Sequence, residues 1–164
     1  MIFHNHVFNL NDLNLVLKNV DWVWSNNLTR LNSDWDFSVV HFSKPVHVYR
    51  LDPNSEAFDI IKKAMYELTQ LSSIGISYYF WPPGSYIPWH VDKSSLISNA
   101  SSVYLNEVWD WCDGGLFQYV DGDQVHTLKP LINTGVTQTK NELHCTTIQS
   151  PNTQLRKSIQ VWYR

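Results

Sequence analysis

From residue 74 to the end of the chain, short runs of β-branched and aromatic residues alternate with clusters of Gly, Pro, Asp and Asn. This alternation is typical of strands that are joined by tight turns. It predicts eight strands, at residues 74–81, 86–92, 101–106, 116–120, 124–128, 131–136, 143–148 and 156–163. Eight short strands with frequent turns favour a jelly roll or a small barrel.

The first 73 residues add helices and further strands. Apolar spacing predicts a helix over 11–20, capped by Asn11 or Asp12, and strands at 39–43 and 46–51, while 21–36 stay unassigned. A second helix begins at Asn54-Ser55, and its apolar stripe is Phe58, Ile61, Met65, Leu68 and Leu71. The predicted fold class is mainly β with flanking helices and a double-stranded β-helix (jelly-roll) core. We expect one domain over 1–164, in which residues 1–73 support the jelly-roll core at 74–164.

The composition is typical of a soluble globular protein, with 43% hydrophobic and 16% charged residues. A net charge of −3 argues against a nucleic-acid partner that is bound through its phosphates. No apolar run approaches the length of a membrane span, and the first residues lack the pattern of a secretory signal. Cys112 and Cys145 have no metal-type spacing. We therefore expect a cytoplasmic protein with free thiols and with no nucleic-acid or membrane partner.

His90 and Asp92 lie two residues apart in a segment predicted to be extended. Residues i and i+2 of a strand point to the same face, so an imidazole and a carboxylate would face one cavity. These are two of the three ligands in the 2-His-1-carboxylate arrangement that binds non-heme Fe(II). A surface His–Asp pair is the simpler interpretation of this motif by itself.

A third ligand would have to come from further along the chain. His144, in a predicted strand, is the best candidate, and His126 is its competitor. The strand of His126 follows a tight Asp-Gly turn and is predicted to be peripheral. If His144 stood alone, a half-buried histidine with satisfied hydrogen bonds would be the better interpretation.

The last predicted strand alternates, with Arg156, Ser158, Gln160 and Trp162 on one face. A guanidinium group binds a carboxylate through two parallel hydrogen bonds, and a neighbouring hydroxyl adds a donor. This face therefore suits an anionic cofactor. A surface salt bridge for Arg156 and a core position for Trp162 are the structural alternatives.

The ordered set of His90-x-Asp92, His144 and Arg156-x-Ser158 resembles the Fe(II)- and 2-oxoglutarate-dependent oxygenases, most closely the prolyl-hydroxylase-like branch. Secondary motifs agree over residues 74–164. Trp81-Pro82-Pro83-Gly84 stands where the family often has Tyr-x-Pro-Gly. The other similar motifs are Val103-Tyr104-Leu105-Asn106, followed by Trp109, then Gly114-Gly115-Leu116, and Pro130-x-x-Asn133 before the second histidine.

The resemblance implies a single oxygenase domain in which His90, Asp92 and His144 bind Fe(II). The cofactor 2-oxoglutarate would chelate the metal, with its far carboxylate held by Arg156 and hydrogen-bonded by Tyr104 and Ser158. The catalytic set would be the three ligands and Arg156. The implied reaction uses O2 and hydroxylates a C–H bond, with succinate and CO2 as co-products and ascorbate as a stimulant. Because Trp81 replaces the usual tyrosine, a cofactor hydrogen bond from that position is in doubt.

The sequence predicts the type of reaction more specifically than it predicts the substrate. Trp89, Trp109 and Trp111 are candidates to pack on a prolyl ring near the mouth, with Gln160 and Trp162 inside the cavity. The nucleic-acid demethylase branch has a further Arg six residues after the cofactor Arg, where this chain has Trp162. A prolyl residue in a peptide is therefore the leading substrate. The alternatives are hydroxylation of a free amino acid or small molecule, a non-catalytic jelly-roll binding module, and a structural domain without metal.

Overall fold

The computed structural model describes residues 1–27, 30–31, 46–92, 99–140 and 142–164, and the predicted strand at 39–43 lies outside these ranges. Within these ranges the helices are α1 (Leu10–Asn26) and α2 (Glu56–Thr69), and a 3₁₀ turn covers Trp111–Asp113. The strands in the described residues are β1 (Ile2–Asn5), β2 (Arg30–Leu31), β3 (His47–Arg50), β4 (Ser73–Trp81), β5 (Ile87–His90), β6 (Asn99–Tyr104), β7 (Phe117–Asp121), β8 (Gln124–Leu128), β9 (Thr134–Thr137), β10 (His144–Thr146) and β11 (Arg156–Tyr163).

The strands form two antiparallel sheets, which confirms the predicted mainly β fold with a jelly-roll core. The large sheet has the order β1-β9-β6-β11-β4-β3-β2, and the small sheet has the order β5-β10-β7-β8. Strands β1, β2 and β3 of the large sheet come from the first 73 residues. The most central pairing joins β11 to β4 over eight Cα partners, from Arg156↔Trp81 to Tyr163↔Ser73.

Both helices cover the outer face of the large sheet. Buried side chains of α1 and α2 share one apolar cluster with outward residues of β4, β6 and β11, including Val16, Ile61, Met65, Ile159 and Val161. Each fully buried side chain of this kind contributes roughly 1.5–3 kcal/mol of hydrophobic free energy. Within the described part of the chain, neither helix offers an apolar stretch of the length that crossing a membrane requires.

Strand β11 separates this apolar layer from the inside of the jelly roll, as its sequence alternation predicts. Ile159, Val161 and Tyr163 are fully buried against the helices. Arg156 and Ser158, on the other face, line the space between the sheets. The same strand therefore supports the core and presents polar side chains to a cavity.

The first helix begins earlier than predicted and ends later. Its N-cap is Asn9, whose side chain accepts a hydrogen bond from the Asp12 amide (2.9 Å), so the predicted cap at Asn11 or Asp12 is wrong. Leu10 is exposed and outside the apolar stripe, which is why periodicity does not reveal this first turn. The helix continues through Trp22 and Trp24 to Asn26. In contrast, α2 begins directly after Ser55, where the sequence predicts its start, and Ser55 is its N-cap.

Strand β1, which the sequence pattern does not predict, closes one edge of the large sheet through its pairing with β9. Its only buried residue is His4, because Ile2 and Phe3 are exposed and the usual alternation is missing. His4 Nε2 lies 2.7 Å from Thr137 Oγ1, and Thr137 Oγ1 lies 2.7 Å from Ser101 Oγ. Tyr163 donates to the same Ser101 hydroxyl at 3.0 Å. This buried network joins β1, β9, β6 and β11.

The burial of His4 makes the stability of the fold depend on pH. Burial lowers the pKa of His4 from its ordinary value of 6.5, so the unfolded chain binds a proton more readily than the folded chain. This contribution to stability is present above pH 6.5 and is lost as the pH falls towards the lowered pKa. We expect His4→Gln to reduce the loss of unfolding free energy on acidification below pH 6.5. Because one proton is involved, the slopes of unfolding free energy against pH can differ between the two proteins by at most about 1.4 kcal/mol per pH unit.

Urea unfolding of the wild type and of His4→Gln between neutral and mildly acidic pH would measure this difference. Identical pH dependence in the two proteins would show that His4 is not the responsible group.

Candidate active site

Residues from both sheets line one cavity between them, with about 460 Å³ of space including its mouth. The large sheet contributes polar and aromatic side chains from β4, β6 and β11. The small sheet contributes side chains from β5, β7 and β10. The cavity therefore brings together the two ends of the predicted site, namely His90, Asp92 and His144 with Arg156 and Ser158.

His90, Asp92 and His144 converge at this cavity, each with one potential ligand atom. These atoms all lie within 4.8 Å of one another. His90 Nε2 is 3.6 Å from Asp92 Oδ1, and His144 Nε2 is 3.7 Å from Asp92 Oδ2. His126, the competing histidine, instead stacks on Tyr119 at 5.0 Å.

Backbone carbonyl groups orient both imidazole rings in the same way. Nδ1 of His90 lies 2.8 Å from the Pro88 carbonyl oxygen, and Nδ1 of His144 lies 2.8 Å from the Glu142 carbonyl oxygen. Since a carbonyl oxygen only accepts, each Nδ1 carries the proton and each Nε2 keeps a lone pair directed at the cluster. Burial and the neighbouring His144 lower the pKa of His90, which favours the neutral form that binds metals.

The position of Asp92 differs from the strand geometry that the sequence predicts. Strand β5 ends at His90, so Asp92 lies beyond it and the same-face argument does not apply to this residue. The two histidines are aligned by strand pairing, because His144 of β10 is the Cα partner of His90 of β5. The predicted triad therefore forms, but the carboxylate comes from a residue beyond the end of β5 rather than from the strand itself.

Arg156 also lines the cavity and is only 2% exposed. Its guanidinium carbon lies 4.8 Å from the centroid of the Trp81 ring and 5.2 Å from that of Tyr104, so two aromatic rings contact the cation. Its Nε and Nη1 atoms are buried without a hydrogen-bond partner among the described residues. Burial lowers the pKa of Arg156 to about 10, which still leaves the group protonated at neutral pH.

Further unused donors surround this cation. The Tyr104 hydroxyl is also buried without a partner in the described part of the chain, and burial raises its pKa to about 12, so it keeps its proton. Ser158 Oγ accepts a hydrogen bond from Trp81 Nε1 at 3.1 Å, which leaves the hydroxyl hydrogen for another acceptor. A buried positive charge with neighbouring donors is costly unless an anion pairs with it.

These two groups of side chains fit the metal and the cofactor that the resemblance implies. Two neutral imidazoles and one carboxylate form a donor set suited to Fe(II). The unpartnered donors of Arg156, which lines the cavity, and of Tyr104, which contacts Arg156, fit a carboxylate. A dicarboxylate that binds the metal with one end would satisfy these donors with the other.

The Gly114-Gly115 turn shapes the wall next to Arg156. Gly114 has φ +64° and ψ −148°, and a Cβ there would lie 2.0 Å from the Ile148 carbonyl oxygen. A Cβ on Gly115, which has φ +58°, would lie 3.3 Å from Arg156 Cδ. Glycine is required here because the turn packs closely and has positive φ angles. The predicted Gly-Gly motif therefore makes room for the arginine stem.

The residues predicted to contact substrate fall into two groups. Gln160 and Trp162 line the cavity, and Gln160 Oε1 accepts from Ser102 Oγ at 2.6 Å. Trp89, Trp109 and Trp111 are not among the cavity-lining residues that the structure describes. Trp89 is 44% exposed and Trp111 is 54% exposed, whereas Trp109 is 3% exposed and donates its indole N–H to the Gly114 carbonyl.

Sequence reasoning missed several residues of the cavity. Ser102 and Thr146 stand two residues from Tyr104 and His144, so strand alternation could have identified them. Gln138 has no such signal, because it follows the end of β9. Its amide Nε2 lies 3.1 Å from His144 Nε2 and donates to the lone pair that a metal would take.

No protein-family model and no curated protein matches the sequence. Solved structures do match the fold. A Pseudomonas putida prolyl-4-hydroxylase matches with a TM-score of 0.81 at 18% identity, over 99% of this chain and 91% of that one. A Trichoplax adhaerens prolyl hydroxylase in complex with a peptide fragment of hypoxia inducible factor gives 0.78 at 13%, over 99% and 82%. HygX of Streptomyces hygroscopicus, with nickel and 2-oxoglutarate bound, gives 0.73 at 11%, over 99% and 81%.

The chain therefore has the jelly-roll fold of the prolyl-hydroxylase-like 2-oxoglutarate oxygenases. In this fold, its own His90, Asp92 and His144 form a group able to hold a metal ion.

The Gly114 turn gives a direct test of the packing around the site. We expect Gly114→Ala to lower the free energy of unfolding by more than about 3 kcal/mol, because the new methyl group meets a backbone carbonyl. Gly122→Ala is the matched control, since Gly122 has φ +59° but no atom within 4 Å of the place that a Cβ would take. That variant should lose only roughly 1–2 kcal/mol, the cost of the positive φ. Equal losses in denaturant unfolding would contradict the proposed close approach.

Proposed function

We propose that this chain is an Fe(II)- and 2-oxoglutarate-dependent dioxygenase that hydroxylates a C–H bond, with a prolyl residue of a peptide or protein as substrate. One observation carries the proposal. Three side chains with metal-ligand atoms and a buried arginine with unpartnered donors line the same cavity. The fold, which prolyl hydroxylases share, supports it further.

In this proposal His90, Asp92 and His144 hold the iron. The Pro88 and Glu142 carbonyls fix the two imidazole rings, so that the Nε2 lone pairs are directed at one point before a metal binds. When bound, iron and 2-oxoglutarate supply an O2-dependent oxidation that yields succinate and CO2 and adds one oxygen atom to a substrate C–H bond. The residues on either side of the metal then determine which groups can approach it.

Arg156 holds the far carboxylate of 2-oxoglutarate in this proposal. Its unpartnered Nε and Nη1 atoms supply charge-assisted hydrogen bonds, and Tyr104 and Ser158 supply neutral donors. Pairing the anion with a cation that is already desolvated gives a strong interaction, because the cost of burying the arginine has been met during folding. The protein is therefore organised for a dicarboxylate before the ligand arrives.

The rest of the described cavity lining favours a substrate whose groups are neutral. It contains Gln138, Gln160, Ser102 and Trp162, and Gln138 contacts His144. Its charged side chains, Asp92 and Arg156, are already assigned to the metal and the cofactor. A free amino acid would bring an ammonium and a carboxylate for which the described lining residues offer no further charged partner, and this is costly in a buried site. A residue inside a peptide would bring only amide groups, which glutamine and serine can hydrogen-bond.

A prolyl ring also fits the aromatic residues near the metal ligands. Trp162 lines the cavity, and the exposed Trp89 directly precedes His90. The flat faces of aromatic rings give large apolar contact areas to the saturated pyrrolidine ring. The peptide fragment bound to the Trichoplax adhaerens prolyl hydroxylase supports a peptide substrate by analogy.

The substrate proposal predicts a difference between capped peptides and free proline. We expect N-acetylated, C-amidated prolyl peptides to give a product one oxygen atom heavier in the presence of Fe(II), O2, ascorbate and 2-oxoglutarate. Free L-proline, which carries both charges, should react at least about tenfold more slowly. Mass spectrometry and succinate measurement would detect both reactions. Equal or faster conversion of free proline would favour the free amino acid as substrate.

The cofactor proposal predicts a specific role for the charge of Arg156. Arg156→Gln should weaken the binding of 2-oxoglutarate by about 100-fold or more, because it removes the partner of a buried carboxylate. Lys157→Gln is the matched control, since it removes the same charge from the opposite face of β11 and should leave the affinity unchanged. Calorimetry with the metal-loaded protein would measure both, with metal content as a check. Unchanged affinity in Arg156→Gln would contradict this role.

A further inference from the structure

Trp81 occupies the last position of β4, opposite Arg156 in the strand pairing, and it is 3% exposed. The resemblance places a tyrosine here, whose hydroxyl could donate to a cofactor. An indole has a single donor, Nε1–H, and in this chain it is directed at Ser158 Oγ, 3.1 Å away. Trp81 is therefore not placed to donate to a ligand with the same hydrogen.

The hydrogen bond from Trp81 limits which further hydrogen bonds the Ser158 hydroxyl can form. A serine hydroxyl has one hydrogen to donate and two lone pairs to accept with. One lone pair accepts from Trp81, and no described residue accepts the Ser158 hydrogen. Because hydrogen bonds in a chain polarise one another, accepting from Trp81 also makes the Ser158 hydroxyl a better donor. Ser158 lines the cavity together with Arg156, so a ligand in the cavity can accept its hydrogen.

The Trp81 ring is fixed in this position by a second contact. Its centroid lies 4.8 Å from the guanidinium carbon of Arg156. A cation–π contact is strongest between desolvated groups, and both of these groups are buried. The indole therefore cannot turn away from Ser158 without losing its contact with the buried charge.

We propose that Trp81 is a positioning residue for the anion-binding end of the cavity, and that it acts through Ser158. The indole N–H holds the Ser158 oxygen so that the serine hydrogen is donated to the far carboxylate of 2-oxoglutarate. In this way the chain replaces a direct tyrosine donor with a relay of two side chains. The inference rests on the proposed function, because it takes 2-oxoglutarate as the ligand.

The test measures binding to the metal-loaded protein by calorimetry without O2, so that no turnover is needed. The ligands are 2-oxoglutarate and 2-oxobutanoate, which lacks the far carboxylate. We expect Trp81→Phe, which keeps an aromatic face but removes the N–H, to weaken 2-oxoglutarate binding by about tenfold. Its affinity for 2-oxobutanoate should stay unchanged, since that ligand has no group for Ser158.

A double-mutant cycle tests whether Trp81 acts through Ser158. Ser158→Ala should weaken 2-oxoglutarate binding by a similar factor, and Trp81→Phe combined with Ser158→Ala should be no weaker than Ser158→Ala alone. Trp24→Phe is the matched control for a tryptophan substitution, because Trp24 contacts Phe80 in the helix-facing core. Its affinity for both ligands should equal that of the wild type.

Three results would overturn the inference while leaving the proposed function intact. They are unchanged 2-oxoglutarate affinity in Trp81→Phe, an equal loss for both ligands, and additive losses in the double variant. If the wild-type protein with metal does not bind 2-oxoglutarate at all, the proposed function fails and the inference fails with it. The two failures are therefore distinguishable in one set of titrations.

Discussion

The burial of the Arg156 guanidinium between the two sheets is the constraint to which much of the structure is adapted. An ion without a partner costs several kcal/mol in a protein interior, and aromatic faces offset only part of that cost. The surrounding chain accommodates the charge in specific ways. Trp81 and Tyr104 contact it with their rings, and Gly115 leaves room for its stem. None of these contacts supplies a negative charge, so the arrangement is complete only when an anion binds.

The two faces of β11 explain how the fold tolerates this charge. On one face, Ile159 and Val161 are packed against helices that bury them fully. On the other face, Arg156 and Ser158 line the cavity. The eight-residue pairing of β11 with β4 holds both faces in register. The packing of the apolar face thus offsets the unfavourable free energy of burying Arg156 on the cavity face. The site therefore lies on the best-supported strand of the large sheet.

The sequence predicts this part of the fold well, because its signals are local and periodic. Alternation identifies β11 with its correct bounds, and Ser55 marks the start of α2. It does not predict contacts that depend on how distant segments meet. Asp92 reaches the histidines from beyond the end of β5, and Gln138 reaches His144 from beyond the end of β9. Strand β1 is missed for a related reason, since its exposed Ile2 and Phe3 give it no alternation to recognise.

The charge distribution distinguishes a ligand-binding jelly roll from a purely structural one. A purely structural domain gains no stability from Arg156, because an apolar side chain of similar volume often stabilises a protein as much as a buried ion does, or more. Nor does it gain from grouping the Nε2 atoms of two neutral imidazoles with a carboxylate, because these groups are all acceptors and cannot hydrogen-bond one another. Of the three, His144 Nε2 accepts a hydrogen bond from Gln138 Nε2. The buried cation and the grouped acceptors line one cavity. A ligand with a metal-binding end and a carboxylate end satisfies both, which is why the dioxygenase proposal accounts for them together.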